Sequence, residues 1–316
     1  MKKRIFLLVM AAALAFSGCG SVGKLAGKTD KTGTEDVQKN DDEDMGSSEE
    51  AAQSESTDVS ISSESSEAAE SGEGYEYEAQ INEEVKSIVA SAQDLTDELE
   101  QINKLNDKYD EMEQQAESQA EMDYLCVNGK LVWKAEAESL LERLKETEGA
   151  SYDDIYAEYQ NWEKHVRTMA ERMSYVYEGG SIQGMIIMAN VAERYRTEAY
   201  TLASTLADLR GEAAFSFPTS VGPSGYYGDY ASDNYLTVNE GMESGSYDVL
   251  IHKDGSEEIR GIATEDEETG NLYFVSDDGN MSAFISYGAL GAGLSVTESD
   301  KEAFTAGQSY EFTYRY

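Results

Sequence analysis

The fold of the C-terminal third is decided by residues 246–287, which read SYDVLIHKDGSEEIRGIATEDEETGNLYFVSDDGNMSAFISY. Short runs of alternating apolar and polar residues, typical of half-buried strands, lie at 246–252, 257–264, 271–275 and 281–287. Asp254-Gly255 and Asp278-Gly279-Asn280 separate two pairs of these runs, and such turn sequences join antiparallel strands. The stretch therefore predicts an antiparallel meander.

Similar runs on both sides extend the meander over residues 225–316. They lie at 225–230, 235–238, 294–297 and 310–316. About eight strands in all are expected from this spacing. A small barrel would remove the exposed edges of such a sheet, and a two-sheet sandwich would have the same periodicity. The opening Gly225-Tyr226-Tyr227-Gly228 and the closing Tyr314-Arg315 resemble the first and last strands of small calycin-like barrels. The prediction is a small antiparallel β-barrel or sandwich, with both architectures left open.

Residues 75–211 show the three-and-four spacing of apolar residues that is typical of amphipathic helices. Glycines and capping residues divide this region into helices predicted at about 79–121, 130–146, 151–176 and 181–209. Short loops favour antiparallel neighbours, so the expectation is an elongated antiparallel helical bundle with a coiled-coil-like apolar seam. The Gly/Ser/Pro-rich residues 212–224 form a connector, and the fold class is α+β in separate domains.

The N-terminal residues 1–18 have the pattern of a signal peptide. Lys2-Lys3-Arg4 precede an apolar stretch that is too short to span a bilayer. Phe16-Ser17-Gly18-Cys19 then resembles the lipobox of bacterial lipoproteins, in which the Cys is diacylated and becomes the new N-terminus. The alternative is an ordinary secretory signal that is cut elsewhere. Lipidation of Cys19 predicts an anchor on the extracytoplasmic face of the cell membrane.

Residues 19–74 follow as an acidic, Ser/Glu-rich segment with no aromatic residue. Such a composition cannot bury enough apolar surface to fold, so a disordered tether is expected. The whole chain has 63 acidic and 24 basic residues, for a formal charge of −39. This charge argues against nucleic-acid binding and leaves the lipid as the only expected attachment to an anionic membrane. A cationic protein is the partner that such a charge favours.

Catalytic and metal-binding signatures are sparse in this sequence. His165 and His252 fall in different predicted domains, and no zinc, nucleotide or serine-hydrolase motif is present. Residues 277–280 fit a hairpin turn better than a calcium loop, because the remaining ligand spacing is absent. Cys126 is expected to be a small buried residue. The sequence therefore predicts a protein that is not an enzyme, with no catalytic residue, metal or cofactor.

Tyrosines are concentrated in the last third of the chain. They are Tyr226, Tyr227, Tyr230, Tyr235, Tyr247, Tyr273, Tyr287, Tyr310, Tyr314 and Tyr316. Tyr packs well on strands, and it can also line a ligand cavity while its hydroxyl stays wet. Strand packing is favoured, and a ligand cavity remains the alternative.

Two stretches carry a resemblance to a known family. The first is Ser118–Asp123 with Lys130–Glu136. The second contains a Gln/Trp helix at 159–167, then Gly179-Gly180-Ser181-Ile182, then Ala192–Arg196. Together they resemble the LprI-like family of lysozyme inhibitors over roughly residues 115–211. The resemblance implies a helical envelope protein, in a family in which some members bind and inhibit lysozyme.

The positions that match the family's motifs are structural or partner-binding candidates. They are Trp133, Trp162, Arg167, Gly179, Gly180, Ser181 and Arg196. The leading functional prediction is a surface-tethered lipoprotein that binds a protein without catalysis, such as lysozyme or another cell-wall hydrolase. The alternative is an envelope lipoprotein that binds a small ligand in its Tyr-rich β domain. The sequence leaves the oligomeric state open.

Overall fold

The computed structural model describes residues 77–147, 149, 151–212, 222–266, 268–288 and 291–316. The predicted signal peptide, Cys19 and the predicted tether lie outside the described residues, as does most of the connector at 212–224. All described residues belong to one compact unit, Ser62–Tyr316. The fold is α+β, with helices followed by an antiparallel sheet of eight strands.

The helical part is built around one buried helix. The elements are α1 (Glu78–Ser91), α2 (Leu95–Gln114), α3 (Gln119–Leu125), α4 (Asn128–Glu146), α5 (Tyr152–Glu163), α6 (Val166–Met173) and α7 (Gln183–Arg210), with a 3₁₀ turn at Tyr175–Tyr177. The central helix α4 packs against α1, α2 and α7. Apolar side chains on several sides of α4 are buried, because it is surrounded by the other three. Among the described helices, none combines the length and the apolarity that a membrane crossing requires.

The single long helix predicted at 79–121 is wrong. The structure divides this stretch into α1, α2 and the start of α3, with a break before Leu95. At that break the Asp94 carboxylate accepts from the Asp97 backbone N–H at 2.9 Å, and the Asp97 carboxylate accepts from the Gln93 N–H at 2.9 Å. Ser118 caps α3 in a similar way. These local hydrogen bonds stop one helix and start the next, although the apolar spacing continues through them.

The helix predicted at 151–176 is also interrupted. It divides into α5, α6 and the 3₁₀ turn, and His165 lies at the first interruption with its Nδ1 2.8 Å from the Asn161 carbonyl oxygen. The helix predicted at 181–209 begins slightly later in the structure, because Ile182 occupies the N-cap position of α7. Helix α7 ends at a glycine, as many helices do: Gly211 adopts a left-handed conformation with φ of 66°.

The sheet is a nearly closed barrel, so the sandwich alternative is wrong. Its strands pair in sequence order: β1 (Gly225–Tyr227), β2 (Tyr235–Glu240), β3 (Ser246–His252), β4 (Ile259–Glu265), β5 (Leu272–Ser276), β6 (Met281–Gly288), β7 (Gly291–Ser299) and β8 (Ser309–Thr313). The chain after β8 then returns to β1. Tyr226 and Tyr316 exchange backbone hydrogen bonds of 3.1 and 2.9 Å, and Gly228 donates to the Tyr314 carbonyl at 3.2 Å. These bonds bring the two ends of the sheet together.

The barrel interior is filled by its own side chains. They include Leu236, Val238, Val249, Ile251, Leu272, Phe274, Ile285, Leu294, Phe304 and Phe312. Gly261 makes room for this packing, since a Cβ there would lie 2.2 Å from the Val275 carbonyl oxygen and 2.6 Å from the Phe274 ring. Residues 277–280 form the β5–β6 turn, with Gly279 at φ of 69°, which confirms the hairpin prediction.

The helices contact the barrel through tyrosines. Tyr226, Tyr230, Tyr235 and Leu250 are buried in the same apolar cluster as the helical core. Arg172 of α6 lies 3.9 Å from the centre of the Tyr235 ring and donates to the Tyr226 hydroxyl at 2.9 Å. Tyr226, Tyr230 and Tyr235 therefore pack between the barrel and the helices.

A candidate binding cleft on the helical bundle

A polar cleft of ≈ 280 Å³ lies on the helical part and combines residues of α2, α4 and α7. We call it the helical cleft. It is lined by Asn103, Asn106, Asp107, Asp110, Trp133, Ala189, Ala192, Glu193 and Arg196. Two of these residues, Trp133 and Arg196, are positions that the family resemblance singled out. The helical cleft is therefore the candidate functional site.

Residue spacing explains how these side chains come together. Asn103, Asn106 and Asp110 are three and four positions apart, so they share one face of α2. Close approach of the first turn of α4 is possible because Gly129 has no side chain. A Cβ there would lie 3.3 Å from Asn106 Oδ1 and 3.4 Å from Ala192 Cβ. Small residues at these contacts bring three helices close and leave a space between their polar side chains.

Arg196 and Trp133 form one side of the helical cleft. Trp133 is buried, and the Arg196 guanidinium lies 5.8 Å from its ring centre and 6.0 Å from that of Tyr200. Arg196 Nη1 also donates to Glu193 at 3.2 Å. Its Nε is buried without a hydrogen-bond partner among the described residues. The aromatic rings thus hold the guanidinium beside the cleft.

The α2 side chains of the cleft are partly held by hydrogen bonds. Asn106 Nδ2 donates to Asp110 at 2.7 Å, and Asn103 Nδ2 donates to the Tyr200 hydroxyl at 2.7 Å. In the described part of the chain, Asn106 Oδ1 is buried and accepts no hydrogen bond. Burial and, secondarily, the charge of Asp107 raise the pKa of Asp110. A cation in the cleft would lower the pKa of Asp110 again, because an opposite charge favours the ionised carboxylate.

The electrostatic balance of the helical cleft is negative. Asp107, Asp110 and Glu193 supply three carboxyl groups, and Arg196 supplies one guanidinium. A cationic group with several N–H donors, such as a Lys ammonium or an Arg guanidinium, would meet the carboxylates that line the cleft. The geometry is suited to binding a basic side chain of a partner.

The other predicted motif positions lie elsewhere. Trp162 is buried between Tyr159 and Tyr195, with ring centres 5.6 and 5.0 Å away. Arg167 pairs with Glu171 at 2.9 Å on α6. Gly179, Gly180 and Ser181 lie in the exposed turn before α7.

Sequence reasoning missed the α2 residues of the helical cleft. The available signal was the three-and-four spacing of Asn103, Asn106 and Asp110 on the polar side of an amphipathic helix. The opposing Ala189 and Ala192 on α7 are a second signal, because small residues allow helices to approach closely. Neither signal shows that α2 and α7 face each other, because that contact is defined only by the fold.

A buried charge cluster lies apart from the helical cleft. Arg143 donates to Glu98 through both terminal nitrogens, at 2.9 and 2.5 Å, and to Glu136 at 3.3 Å. Burial and then the charge of Glu98 raise the pKa of Glu136 well above its ordinary value. Both carboxyl groups are inaccessible to solvent, so this cluster connects α2 to α4 within the core.

A second cavity, of ≈ 320 Å³, lies beside the barrel. It is lined by Gly228, Asp229, Ser232, Asn234, Lys253, Phe304, Tyr310, Glu311, Phe312 and Thr313. Lys253 is 4.7 Å from the Tyr310 ring centre and donates to the Ala303 carbonyl at 3.2 Å. We call this space the barrel cavity. It offers aromatic surface beside polar groups of both charges.

Comparison with known proteins gives no relative for this chain: no family model, no curated protein and no solved structure matches it.

Proposed function

We propose that this protein is a lipid-anchored bacterial envelope protein that binds a cationic protein without catalysis, with lysozyme or a similar cell-wall hydrolase as the first partner to test. The observation that carries the proposal is the net negative helical cleft beside Trp133 and Arg196. Inhibition would follow from occlusion of a basic surface by the bound protein.

Charge supports this mode of binding at two distances. The formal charge of −39 would steer a basic partner towards the molecule at low ionic strength. At contact, the carboxylates of the helical cleft would pair with one Lys or Arg of the partner. Long-range steering weakens with salt, whereas a partly buried pair is screened less.

The proposed location rests on the sequence around Cys19. Acylation there would hold the chain on the membrane, and the acidic residues 20–74 would act as a spacer between the lipid and the helices. A cell-wall hydrolase acts in the same compartment. Location, charge and the helical cleft therefore agree on one class of partner.

The test uses the protein from Gly20 to Tyr316 in a lysozyme activity and binding assay at low and high salt. We expect inhibition at low salt and partial retention at high salt. The Asp107→Asn/Glu193→Gln variant removes two exposed charges from the helical cleft. It should weaken binding by about threefold to thirtyfold, as expected for the loss of two exposed ion pairs worth up to about 1 kcal/mol each.

The matched control is Glu100→Gln/Glu142→Gln, which makes the same change in net charge at exposed positions of α2 and α4 outside the cleft. This control should bind almost as tightly as the unmodified chain. Equal weakening by both pairs would mean that only net charge matters and would refute the role of the cleft. Absence of binding by excess folded protein at low salt would refute lysozyme as the partner.

The barrel cavity favours a second candidate function, binding of a small ligand. Tyr310 could stack on an apolar or saccharide ring while Lys253 contacts a polar group. Calorimetric titration of the 20–316 chain with a chitin trisaccharide and with a medium-chain fatty acid tests this candidate. Binding that Tyr310→Ala weakens would support it, and absence of heat with both probes would oppose it.

A further inference from the structure

Four apolar side chains form a continuous exposed strip on the outside of the barrel. Ile262 is 53% exposed, Val275 40% and Tyr273 38%, and Phe284 is partly exposed beside them. We call them the outer strip. Their neighbours along each strand point inward and are buried, so strand alternation places these four on the outer face.

Strand register makes the outer strip contiguous. Ile262 of β4 lies directly opposite Val275 of β5, and Tyr273 of β5 lies directly opposite Phe284 of β6. The rings of Tyr273 and Phe284 are 5.2 Å apart. Since directly opposed and next-but-one residues on one face are neighbours, the four side chains form one apolar surface.

The helices cover the adjoining part of this outer face and leave the outer strip open. Leu250 of β3 is buried in the helical core cluster. Next to it, Arg260 of β4 lies 5.3 Å from the Tyr175 ring and pairs with Glu178 at 3.3 Å. Beyond Arg260 on the same strand, Ile262 is the first outward residue that is more than half exposed. The charged residues Arg260 and Asp248 therefore separate the outer strip from the part of this face that the helices cover.

Carboxylates border the outer strip. Asp248 is directly opposite Ile262 across the β3–β4 pair, and Asp277 follows Val275 by two residues. Glu298 lies opposite Ser282, which is opposite Val275. Arg260 is a cation at this border, and it pairs with Glu178 and, at 3.7 Å, with Glu258. The border is thus predominantly negative, around an apolar centre.

We propose that the outer strip is a docking surface for a cationic protein partner, one that presents apolar side chains flanked by Lys or Arg. This inference rests on the proposed function and assigns part of the partner contact to the barrel. Apolar contact would give affinity at the centre, and charge pairing at the border would select basic partners. A second copy of this chain is disfavoured because its own border carries the same charge.

The test measures binding of labelled synthetic peptides to the 20–316 chain by fluorescence anisotropy. In the main probe Lys alternates with Val and Tyr. In one matched peptide Glu replaces Lys, and in another Ser replaces Val and Tyr.

We expect the main probe to bind most tightly. Ile262→Ser/Val275→Ser should weaken it about tenfold, as expected for two lost aliphatic contacts. Met242→Ser, at a fully exposed site in the β2–β3 turn, is the control and should change nothing.

Each outcome has a definite meaning once circular dichroism shows that the variants are folded. Equal binding of the main probe to the double variant and to the unmodified chain would overturn the inference. Equal binding of the Glu peptide would also overturn it. A concentration-dependent dimer that the double variant abolishes would replace the proposed partner by a second copy. Lysozyme binding that responds to the cleft variants but not to Ile262→Ser/Val275→Ser would refute the outer strip and leave the proposed function standing.

Discussion

Glu198 on α7 is an acid whose environment disfavours its charge. Burial, with a smaller contribution from Glu158, raises the pKa of Glu198 to about 7. In the unfolded chain this carboxyl has an ordinary pKa, whereas in the folded chain it keeps its proton up to a pH of about 7. Glu198 therefore leaves the unfolding free energy unchanged below the ordinary pKa. The unfolding free energy then falls as the pH rises from that pKa through about 7. Glu198→Gln should therefore melt like the unmodified chain at pH about 5 but at least roughly 2–4 °C higher at pH about 8, equivalent to about 1 kcal/mol. Thermal melts at both pH values measure this.

The control for this prediction is Glu100→Gln, which neutralises an exposed carboxylate on α2. Its melting temperature should follow that of the unmodified chain at both pH values, apart from a small uniform shift. If Glu198→Gln changes the melting temperature equally at pH about 5 and about 8, then the Glu198 charge does not cause the effect.

Cys126 should be chemically inert in the folded protein. Burial raises the pKa of its thiol to about 12, and Sγ donates a weak hydrogen bond to the Asp123 carbonyl at 3.2 Å. Because the thiolate is the reactive form, an aromatic disulfide reagent should modify the native 20–316 chain at least about a hundredfold more slowly than the urea-unfolded chain. Fast modification of the native chain would mean that α3 opens readily. The structure confirms the buried Cys that the sequence predicted, and it also places Glu113 of α2 near the thiol.

At the scale of elements, Arg143 joins α2 to α4. Its removal in Arg143→Met would leave Glu98 and Glu136 buried together without a cation. The expected loss of unfolding free energy is about 3–5 kcal/mol, measured by urea unfolding at neutral pH. Acidification should recover part of the loss, because protonation removes the repulsion between the two carboxyl groups.

Glu136→Gln is the matched variant for Arg143→Met. It keeps the shape of the side chain and leaves Arg143 paired with Glu98, so it should cost much less or even stabilise the protein. A larger loss from Glu136→Gln than from Arg143→Met would contradict the proposed balance of charges in this cluster.

Elements were predictable where a local signal defines them. The strand predictions agree with the structure within a few residues, because turns such as Asp254-Gly255 fix both ends of a hairpin. The helix predictions failed where a side-chain cap interrupts a continuing apolar pattern. Asp94 and Ser118 are such caps, and their effect depends on one hydrogen bond each. Apolar periodicity indicates which face is buried and does not show where a helix stops.

At the scale of the whole molecule, the sequence did not predict which distant residues contact each other. The resemblance pointed to Trp133 and Arg196, and the structure brings both to the helical cleft. It could not show that α2 supplies Asn106 and Asp110 opposite them. Nor could the pattern of tyrosines show that Tyr226 would face the helices, because strand alternation defines two faces without saying what covers each one.

The helical part and the barrel should unfold together. Their shared cluster contains Tyr226 and Tyr235, which would be exposed if either part unfolded alone. Arg172 reinforces this contact by stacking on Tyr235 and donating to Tyr226 and, at 2.9 Å, to Asp233. Thermal unfolding of the 20–316 chain should therefore give coincident transitions in the far-ultraviolet signal of the helices and the near-ultraviolet signal of the aromatic residues.

Arg172→Ala tests whether this contact couples the two parts. It should lower the unfolding free energy by about 1.5–3 kcal/mol, the usual value for hydrogen bonds to a charged group, and move both transitions together. Arg167→Ala is the control on the same helix, since it breaks the solvent-exposed pair with Glu171, which is worth about 0.3–0.5 kcal/mol. The helices and the barrel unfold together only if neither part is stable once the shared tyrosine surface is exposed. Separate transitions in the unmodified chain would therefore mean that the tyrosine contact is too weak to couple the two parts.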